Sequence, residues 1–413
     1  MKVLVIGSGG REHAIIDALH KSKHVDKIYA APGNDGMLDL AERVNIKETD
    51  KESLLKFAKE NNIDLTVVGP EASLETGIVD LFRENNLKIF GPSKAAARIE
   101  TSKEFAKDLM KKYNIPTAEY QTFSSYEEAH KYVLEKGAPI VIKYDGLAQG
   151  KGVVVAKTKE EADEALKDML LDDKFGEGKV VIEECLEGAE FSFMCFVDGI
   201  NVYPLDISQD HKRAYDGDLG PNTGGMGAYS PVPIITKEDI DYSLENIMKP
   251  TAKALMLENS SFTGLLYGGL MKTKSGIKVI EFNSRFGDPE TEVVLPRLES
   301  DLYEVFFNIC EHKSVSLKFE DCYCLGIVMA SKGYPQSYEK GFAINNLDKL
   351  DSKVYYMGVA LKNNQIVTNG GRVLIVIAKA KTLLEARNKA LNDVKKIECD
   401  NLFYRSDIAH LSI

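Results

Sequence analysis

Short apolar runs alternate with amphipathic stretches along the first hundred residues. Residues 3–6, 27–30, 65–68 and 88–90 are predicted strands, each followed by a turn that contains Gly or Pro, and residues 51–61 have the pattern of a helix. Alternating strands and helices predict a parallel α/β domain over residues 1–101. In such a domain ligands bind at the carboxyl ends of the strands, where these turns lie.

The remaining chain divides into a long middle part and a shorter C-terminal part. In residues 102–321 we predict helices at 102–113, 158–170 and 237–258 and strands at 139–143, 153–156, 179–183 and 264–271. Residues 322–413 are predicted as a small α+β domain, with strands at 324–330, 365–367 and 372–378 and a helix at 382–397. The pairs Thr158 with Glu161 and Thr382 with Glu385 are capping boxes that mark two of the helix starts.

One predicted strand carries side chains that suit a metal ion. Ile280 and Phe282 alternate with Glu281 and Asn283, so a strand would bury the first pair and present the second pair on its other face. A carboxylate and a carboxamide oxygen are ligands that Mg²⁺ and Mn²⁺ prefer. We therefore predict that Glu281 and Asn283 bind a metal. An ordinary amphipathic strand is the alternative.

A cation and a turn follow this strand directly. Arg285 offers a planar, permanently charged group suited to phosphate or carboxylate. Gly287, Asp288 and Pro289 end the strand and can start a helix, with Pro near its first turn.

The first glycine-rich turn predicts a phosphate site of a small ligand. A dinucleotide fingerprint would need glycine at position 12, which holds Glu12. Gly9, Gly10 and Arg11, at the start of a predicted helix, can instead bind the phosphate of a smaller molecule. A tight turn that merely needs glycine is the alternative.

A second glycine-rich segment lies between two predicted strands. Lys143 and Lys151 can neutralise phosphates there, and three glycines let backbone N–H groups approach phosphate oxygens: Gly146, Gly150 and Gly152. A P-loop would require Ser or Thr at position 152. Lys103, in the first turn of the helix at 102–113, is a further phosphate ligand, whereas a solvated lysine is expected elsewhere on that helix. An unliganded surface hairpin is the alternative.

Two further segments have the features of binding loops. Residues 179–190 are predicted to form an edge strand that passes into an extended linker, which can contact adenine and ribose through Glu183, Glu184, Leu186 and Glu190. Residues 208–230 are predicted as a long substrate loop without regular structure. Its candidate ligands are Asp210, His211, Lys212 and Met226, together with backbone amides of Thr223, Gly224 and Gly225 that would be free to bind an anion. A solvated or capping role is the alternative for His211.

Composition excludes several classes of partner. The formal charge of −11 argues against nucleic acid and anionic membranes. The six cysteines include no C-x-x-C pair, which is typical of a reduced, cytoplasmic protein without a zinc site. No apolar run is long enough for a transmembrane helix, and the N-terminus lacks the pattern of a signal peptide.

A glycine hairpin with lysines, an adenine-contacting linker and a Glu-x-Asn strand, in that order, resemble the ATP-grasp superfamily. The chain is most similar to the phosphoribosylamine–glycine ligase family. Five blocks carry this resemblance: Gly9 to His13, Lys143 to Gly152, Gln209 to Arg213, Gly220 to Pro231, and Glu281 to Glu290.

The resemblance implies a fold and a reaction. It implies an N-terminal parallel α/β domain at 1–101, an ATP-grasp domain at 102–321 with a lid subdomain at about 118–190, and a C-terminal α+β domain at 322–413. It further implies ATP, Mg²⁺ or Mn²⁺, glycine and 5-phosphoribosylamine as ligands, a glycyl phosphate intermediate, and a monomeric enzyme with small-molecule partners. Lys143 and Arg285 would be catalytic, and Pro32, Asn34, Asp288 and Pro289 would join the substrate ligands.

Three residues depart from the usual pattern of that family. Tyr144 replaces a small residue, Gln149 replaces Ala in the hairpin, and Glu292 stands where Gln or Met is typical. Two alternatives remain open from the sequence: another ATP-grasp carboxylate–amine ligase, and a non-catalytic nucleotide-binding regulatory protein.

Overall fold

Five parallel strands form the N-terminal part of the molecule, in the order β3-β2-β1-β4-β5. The computed structural model describes residues 1–146, 152–172 and 178–413. The strands are β1 Lys2–Gly7, β2 Lys27–Pro32, β3 Glu42–Arg43, β4 Leu65–Val68 and β5 Ile89–Phe90, and the helices are α1 Gly10–His20, α2 Lys51–Glu60, α3 Glu71–Glu75, α4 Ile78–Glu84 and α5 Lys94–Thr101. Almost every residue of β1 and β4 is buried, as expected for a parallel sheet covered on both faces. The predicted parallel α/β domain is confirmed.

A second, antiparallel sheet has the order β6-β9-β7-β8. This part comprises α6 Lys103–Lys112, β6 Tyr120–Phe123, α7 Tyr126–Lys136, β7 Ile140–Tyr144, β8 Val153–Ala156, α8 Lys159–Leu170 and β9 Val180–Glu184. Phe123, Ile142 and Leu166 belong to a core of its own. Because β9 lies between β6 and β7, the prediction that residues 179–183 form an edge strand is wrong.

The third sheet contains the strand that carries Glu281 and Asn283, and its strand order is β11-β10-β16-β17. Residues 188–310 form β10 Gly188–Asp198, β11 Asn201–Pro204, β12 Gln209–Asp210, β13 Arg213–Tyr215, β14 Leu219–Asn222, β15 Gly227–Ser230, α9 Lys237–Ser243, α10 Lys249–Leu257, β16 Thr263–Thr273, β17 Gly276–Asn283, α11 Thr291–Val294 and α12 Leu302–Cys310. Residues 244–248 continue the helix between α9 and α10 as a π-helical turn. Four short strands therefore replace the loop without regular structure that we predicted for residues 208–230.

The fourth sheet joins that segment to the C-terminal part of the chain, in the order β12-β15-β18-β22-β19, with β23 also paired to β18. The C-terminal elements are β18 Tyr323–Ser331, β19 Lys353–Tyr356, β20 Val359–Lys362, β21 Gln365–Thr368, β22 Arg372–Ala380, α13 Leu383–Val394 and β23 Leu402–Phe403. All four residues of β15 are buried where they pair with β18. Residues 208–230, called the substrate-type segment below, thus contribute the strands β12 and β15 to the C-terminal sheet.

Candidate active site

A cavity of about 170 Å³ lies at the end of β17, between the second and third sheets. Glu281 and Asn283 line it from β17, and Asn283 Nδ2 is 3.5 Å from Glu281 Oε1. A β-bulge precedes them, since Gly269 pairs with Glu281 but Leu270 pairs with Val279. The bulge puts Val279 into the core in place of Ile280, which lines the cavity, so the predicted burial of Ile280 is wrong.

Two lysines face Glu281 and Asn283 across the cavity. Lys143 on β7 is 3% exposed; its Nζ is 3.0 Å from Glu183 Oε2 and donates to the carbonyl of Ile280 at 3.1 Å. Lys103 starts α6 and donates from Nζ to the carbonyl of Gly146 at 2.9 Å. Burial lowers the pKa of Lys103, because it disfavours the charged ammonium group. A bound anion would favour the charged form and offset this cost.

The local cations set the ionisation of Glu281. Burial alone would raise its pKa, but Lys143, Lys212, Lys103 and Arg285 outweigh burial and lower the pKa below its ordinary value. Glu281 is therefore a carboxylate at neutral pH, as a metal ligand must be. Its donor set, a carboxylate and a carboxamide oxygen with no soft ligand, fits Mg²⁺ or Mn²⁺.

Lys107 is a cavity residue that sequence reasoning missed. It is 3% exposed, its Nζ is 3.2 Å from Glu183 Oε2, and it donates to Thr117 Oγ1 at 2.7 Å. Burial lowers the pKa of this lysine to about 8. The expectation of solvated lysines along this helix is wrong here. The available signal was the spacing, because Lys107 lies one helical turn after Lys103 on the same face.

Glu183 faces the two buried lysines, and its second oxygen, Oε1, is buried without a hydrogen-bond partner beside the cavity. The following residues lie outside the cavity lining of the described chain. Glu184 is exposed, with Oε2 3.3 Å from Lys278 Nζ; Leu186 is half-buried; and the side chain of Glu190 is exposed. Both edges of β9 are paired with other strands, so its backbone has no free edge with which to contact a ligand.

The glycine hairpin is described at its two ends. Gly146 and Gly152 both line the cavity, whereas Gly150, Lys151 and Gln149 lie outside the described residues. Tyr144, one of the three departures from the family pattern, packs against Gly146 and Gly178. A Cβ added to Gly146 would lie 3.0 Å from its ring atom Cε1, and one added to Gly178 would lie 2.7 Å from its hydroxyl oxygen. The carboxylate of Asp145 accepts from the backbone N–H groups of Lys103 and Glu104 at the start of α6, at 2.6 and 3.2 Å.

Arg285 connects the cavity to the N-terminal domain. Its Nη2 is 3.1 Å from Glu100 Oε1 and its Nε is 3.3 Å from Glu71 Oε2. Although burial opposes the charge of Arg285, Glu100 and Glu71 raise its pKa, so it stays a cation. Glu100 also accepts from the N–H and hydroxyl of Ser284, both at 2.8 Å, and thereby fixes the end of β17. Neither Glu71 nor Glu100 was predicted from the sequence.

The N-terminal turn is organised around a buried acid. Glu12 is 1% exposed; its Oε2 accepts from the N–H of Gly9 at 2.7 Å and its Oε1 from Arg11 Nε at 2.6 Å. A Cβ on Gly7 would lie 2.5 Å from the Glu12 side chain, which explains the glycine before this turn. Arg11 also donates to the carbonyl of Phe286 at 3.2 Å. Gly10, the residue before Arg11, is the first residue of α1.

Residues of the second turn and of the substrate-type segment are held by protein partners. Asn34 donates to the carbonyls of Ser8 and Tyr356 at 2.7 and 3.0 Å, and Pro32 ends β2 beside Gly7. Lys212 Nζ is 2.9 Å from Asp210 Oδ2.

The amides of Thr223, Gly224 and Gly225 donate to Lys212 O, Tyr334 Oη and Thr223 Oγ1. The prediction that these three amides are free to bind an anion is therefore wrong. Met226 is fully buried.

His211 belongs to the C-terminal packing. Its Nε2 accepts from the N–H of Ala409 at 2.9 Å, and its Nδ1 is 3.9 Å from Asp218, near His410. Asp218 already pairs with the buried Arg405 at 2.9 Å. This cluster therefore contains its own cation, the guanidinium of Arg405.

Asp288 lies where the N-terminal turn, the substrate-type segment and the C-terminal sheet meet. Its Oδ1 is 3.0 Å from Arg372 Nη2, and the same guanidinium donates to the carbonyls of Gly224 and Asp288 at 3.0 and 2.9 Å. A Cβ on Gly225, whose φ is +119°, would lie 2.5 Å from Pro289. Arg372 comes from β22, far away in sequence, and was not predicted.

None of the helices in the described parts of the chain combines the length and the apolarity needed to cross a bilayer.

These features define an ATP-grasp enzyme: a second sheet with a glycine hairpin faces a third sheet that ends in two oxygen ligands. The biotin carboxylase of Campylobacter jejuni has the same fold, with a TM-score of 0.75 at 15% identity over 98% of this chain and 92% of that one. Models of Phosphoribosylglycinamide synthetase match residues 1–100 (N domain), 101–291 (ATP-grasp domain) and 324–411 (C domain). The chain belongs to this phosphoribosylamine–glycine ligase family.

Individual relatives agree with the family models. The phosphoribosylamine–glycine ligase of Halalkalibacterium halodurans is 55% identical over 417 residues, which cover 100% of this chain and 97% of that protein. The enzyme of the same name from Listeria innocua is 52% identical over 99% of both chains. The crystal structure of phosphoribosylamine–glycine ligase from Thermotoga maritima has a TM-score of 0.88 at 35% identity and covers 99% of this chain and 100% of that one.

Proposed function

We propose that this chain joins glycine to 5-phosphoribosylamine at the expense of ATP, giving glycinamide ribonucleotide, ADP and phosphate in purine biosynthesis. The observation that carries the proposal is the cavity at the end of β17. In it Glu281 and Asn283 face Lys103 and Lys143, in a chain that matches the three domain models of this ligase family.

The first step is a phosphoryl transfer. A carboxylate oxygen of glycine attacks the γ-phosphorus of ATP, the bond to the bridging oxygen of ADP breaks, and glycyl phosphate forms. Positioning and neutralisation of charge supply most of the catalysis in such a step. Lys143 and Lys103 would neutralise the phosphates, and Arg285 would orient the carboxylate or the transferred phosphoryl group. Glu71 and Glu100 hold Arg285 in a fixed orientation for this role.

Glu281 and Asn283 would hold the divalent metal, Mg²⁺ or Mn²⁺. When bound, the metal would neutralise charge on the phosphate oxygens. Both side chains leave β17 next to Ser284, whose N–H is fixed by Glu100, so the pair stands on a rigid support.

The second step is an acyl transfer without an enzyme-bound intermediate. The amine nitrogen of phosphoribosylamine attacks the carbonyl carbon of glycyl phosphate, loses a proton and displaces phosphate. We infer that phosphoribosylamine binds between the Gly9–Gly10 turn and Asp288, with Arg11, Pro32, Asn34, Asp210, His211, Lys212, Thr223, Gly224, Gly225, Met226 and Pro289 forming or supporting its site. His211 and Met226 would act only through packing, because both are buried.

Adenosine would bind beside β9. The unpartnered Oε1 of Glu183 is an acceptor at the cavity wall, and Glu184, Leu186 and Glu190 would supply the linker contacts. Gly146, Gly150, Lys151 and Gly152 would cover the phosphates.

We further propose that the enzyme is a monomer in the cytoplasm. The cytoplasm keeps cysteines reduced, and all six cysteines of this chain are free thiols.

The test is phosphate release with ATP and Mg²⁺, measured with glycine alone, with freshly made phosphoribosylamine alone, and with both. Phosphate release and formation of glycinamide ribonucleotide should both require both substrates. Bicarbonate and D-alanine in place of glycine are the controls for the other ATP-grasp reactions. Full activity with either control would replace the proposed function by a different ligase, and ATP binding without turnover under all conditions would indicate a regulatory protein.

A further inference from the structure

Glu292 is a buried acid whose carboxyl group has no hydrogen-bond partner among the described residues. It lies in α11, its exposed fraction is 0%, and neither oxygen accepts a hydrogen bond from an N–H or a hydroxyl group of another residue. Leaving a buried polar group without a partner is costly, and a buried charge is more costly still. Such a residue requires an explanation in terms of its protonation state.

The carboxyl group of Glu292 is held against the opening of helix α1. A Cβ atom on Gly10 would lie 2.6 Å from Glu292 Oε1 and 2.8 Å from Met357 Cγ, so the acid fills the space beside the first residue of that helix. Asp288 approaches the same turn, since a Cβ on Gly9 would lie 3.2 Å from Asp288 Oδ2. The two acids therefore border the turn that the proposed function assigns to phosphoribosylamine.

Asp288 has the same unsatisfied character. Its Oδ1 is 3.0 Å from Arg372 Nη2, but the angle is too poor for a hydrogen bond, and this oxygen is also a buried atom without one. The side chains of Glu292 and Asp288 are within hydrogen-bonding reach of each other. Two ionised carboxylates can only accept, so this contact becomes a hydrogen bond only when one of the two groups carries a proton.

The other charged and titratable groups around α11 are already engaged. On α1, Arg11 pairs with Glu12, His13 accepts from the N–H of Tyr356, and Asp17 pairs with Lys353. On β19, the hydroxyl of Tyr355 donates to Asp17 at 3.1 Å. On β22, Arg372 divides its donors among Asp288 and the carbonyls of Gly224 and Gly225. This leaves Asp288 as the partner of Glu292.

We propose that Glu292 is a neutral carboxylic acid in the working enzyme and that it donates its proton in a hydrogen bond to the carboxylate of Asp288, which it thereby positions for phosphoribosylamine. This inference rests on the proposed function for the identity of the substrate only. Glu292 is a positioning residue and does not itself touch the reacting atoms.

The electrostatics agree with this geometry. Burial, followed by the negative charge of Asp288, raises the pKa of Glu292 well above its ordinary value, and Arg372 opposes this only in part. Arg372 lies against Asp288, with Nη2 3.0 Å from Oδ1, and places a positive charge beside that side chain. The arrangement provides one carboxylate, fixed by a cation on one side and a neutral donor on the other, at the turn where an amine would arrive.

The direct test is an infrared difference spectrum between the wild-type protein and Glu292→Gln at pH 7. The carbonyl band of a protonated carboxylic acid should be present in the wild type, absent in the variant, and shifted in D₂O. Other buried acids, such as Glu100 and Glu290, are common to both proteins and cancel. Absence of the band from the difference spectrum would mean that Glu292 is ionised and would overturn the proposal.

The kinetic test separates positioning from packing. In Glu292→Leu, which has no donor, kcat/KM for phosphoribosylamine should fall about tenfold or more, while the KM values for ATP and glycine stay near those of the wild type. Glu292→Gln supplies an N–H donor of the same shape and should restore most of the loss. Glu160→Gln, an exposed acid in the first turn of α8, is the matched control. A fully active Leu variant, or a Gln variant as impaired as the Leu variant, would overturn the role of the donated hydrogen bond.

A pH series gives a third readout that does not need turnover. Because the pKa of Glu292 is raised in the folded protein, the wild type loses stability as pH rises above the ordinary value of a glutamate. The melting temperature of Glu292→Gln relative to the wild type should therefore increase from pH 5 to pH 9. A constant difference would contradict the neutral acid. If the ligase assay failed altogether, the infrared and melting measurements would still decide the state of Glu292, so the two failures are distinguishable.

Discussion

Glu281 keeps its negative charge in a buried site because cations surround it. Lys143, Lys212, Lys103 and Arg285 together outweigh the cost of burial, so the carboxylate needs no metal to be ionised. The site is thus preorganised, in the sense that the metal and nucleotide phosphates that we propose to bind there would enter a fixed set of charges instead of assembling it.

We expect Glu281→Gln and Asn283→Ala each to lower kcat by about 10² to 10³, because each removes one ligand that stabilises charge in the transition state. The unfolding midpoint should change little, since both side chains face the cavity and the hydrogen bonds of β17 remain. Glu52→Gln, an exposed acid on α2, should have wild-type turnover. Near-normal turnover of either cavity variant at saturating Mg²⁺ would disprove the assignment of the metal ligands.

The cavity residues differ in how well the sequence predicted them. Glu281 and Asn283 were recognisable because residues two apart on a strand share a face, which is a local property, and both do line the cavity. Lys107 was not, because whether a helical lysine is solvated or buried depends on what packs against that face. The bulge at Ile280 was not predictable either, since it depends on the register between β16 and β17.

At the scale of elements, the site is completed by contacts between segments that are distant in sequence. Arg372 on β22 fixes the carbonyl of Gly224 and both the backbone and the side chain of Asp288. Short-range patterns cannot reveal such a residue, which is why no role was predicted for Arg372. The amides of residues 223–225 were mispredicted for the same reason, because one of their partners, Tyr334, comes from the C-terminal part of the chain.

We expect Arg372→Lys to raise the KM for phosphoribosylamine by about 10- to 100-fold, the range expected when hydrogen bonds to a charged group are lost. A lysine keeps the charge but cannot reach Gly224 O and Asp288 at once with a planar fork. The KM values for ATP and glycine should stay within about twofold, because Arg372 is not among the residues that line the cavity at the end of β17. Arg387→Lys on α13 is the matched control.

Equal increases in the KM for ATP and for phosphoribosylamine would show that Arg372 acts on the whole fold. In that case its contacts to Gly224 and Asp288 would have no specific part in binding the amine substrate.

Helix capping was predictable at the same scale. Ser102, Thr158 and Thr382 cap α6, α8 and α13, and the sequence predicted both threonines as the starts of their helices. Both predicted capping boxes are only half formed. The carboxylate of Glu161 accepts from the N–H of Lys157 instead of Thr158, and the carboxylate of Glu385 lies 3.2 Å from Lys389 Nζ. A capping residue contacts atoms two or three positions away, so the sequence alone contains nearly all the information.

At the scale of the whole molecule, the N-terminal and C-terminal parts are joined through α1 and β19. His13 is 4% exposed and accepts from the N–H of Tyr356 at 2.9 Å, while Asp17 pairs with Lys353 and accepts from Tyr355. These contacts hold helix α1, near the start of the chain, against strand β19 of the C-terminal part. The division at residues 101 and 321 stays a prediction, and the fourth sheet crosses the second of these boundaries.

His13 should make the folded state sensitive to acid. Burial lowers its pKa to about 4, so between pH 6.5 and 4 the unfolded chain binds a proton at this histidine and the folded chain does not. Stability is then lost as pH falls through this range, by up to about 3 kcal/mol for this residue. His13→Asn keeps an acceptor for the N–H of Tyr356 but cannot titrate.

The measurement is the thermal midpoint of wild type and variant between pH 7.5 and pH 4. The difference between them should shrink or reverse as pH falls, whereas His20→Asn, exposed at the end of the same helix, should follow the wild type at every pH. Parallel curves for His13→Asn and the wild type would mean that folding does not lower the pKa of His13.

The pairing of β15 with β18 also has a consequence for the growing chain on the ribosome. β15 is complete at residue 230, but its neighbour in the sheet starts only at residue 323. At about 5 to 20 residues per second, the buried strand waits roughly 5 to 20 s for that neighbour. During this interval the N-terminal sheet can already fold, whereas the edge of β15 stays open to chaperones and to other nascent chains. Slow translation between these two strands would therefore lower the yield of active enzyme without changing a single residue of it.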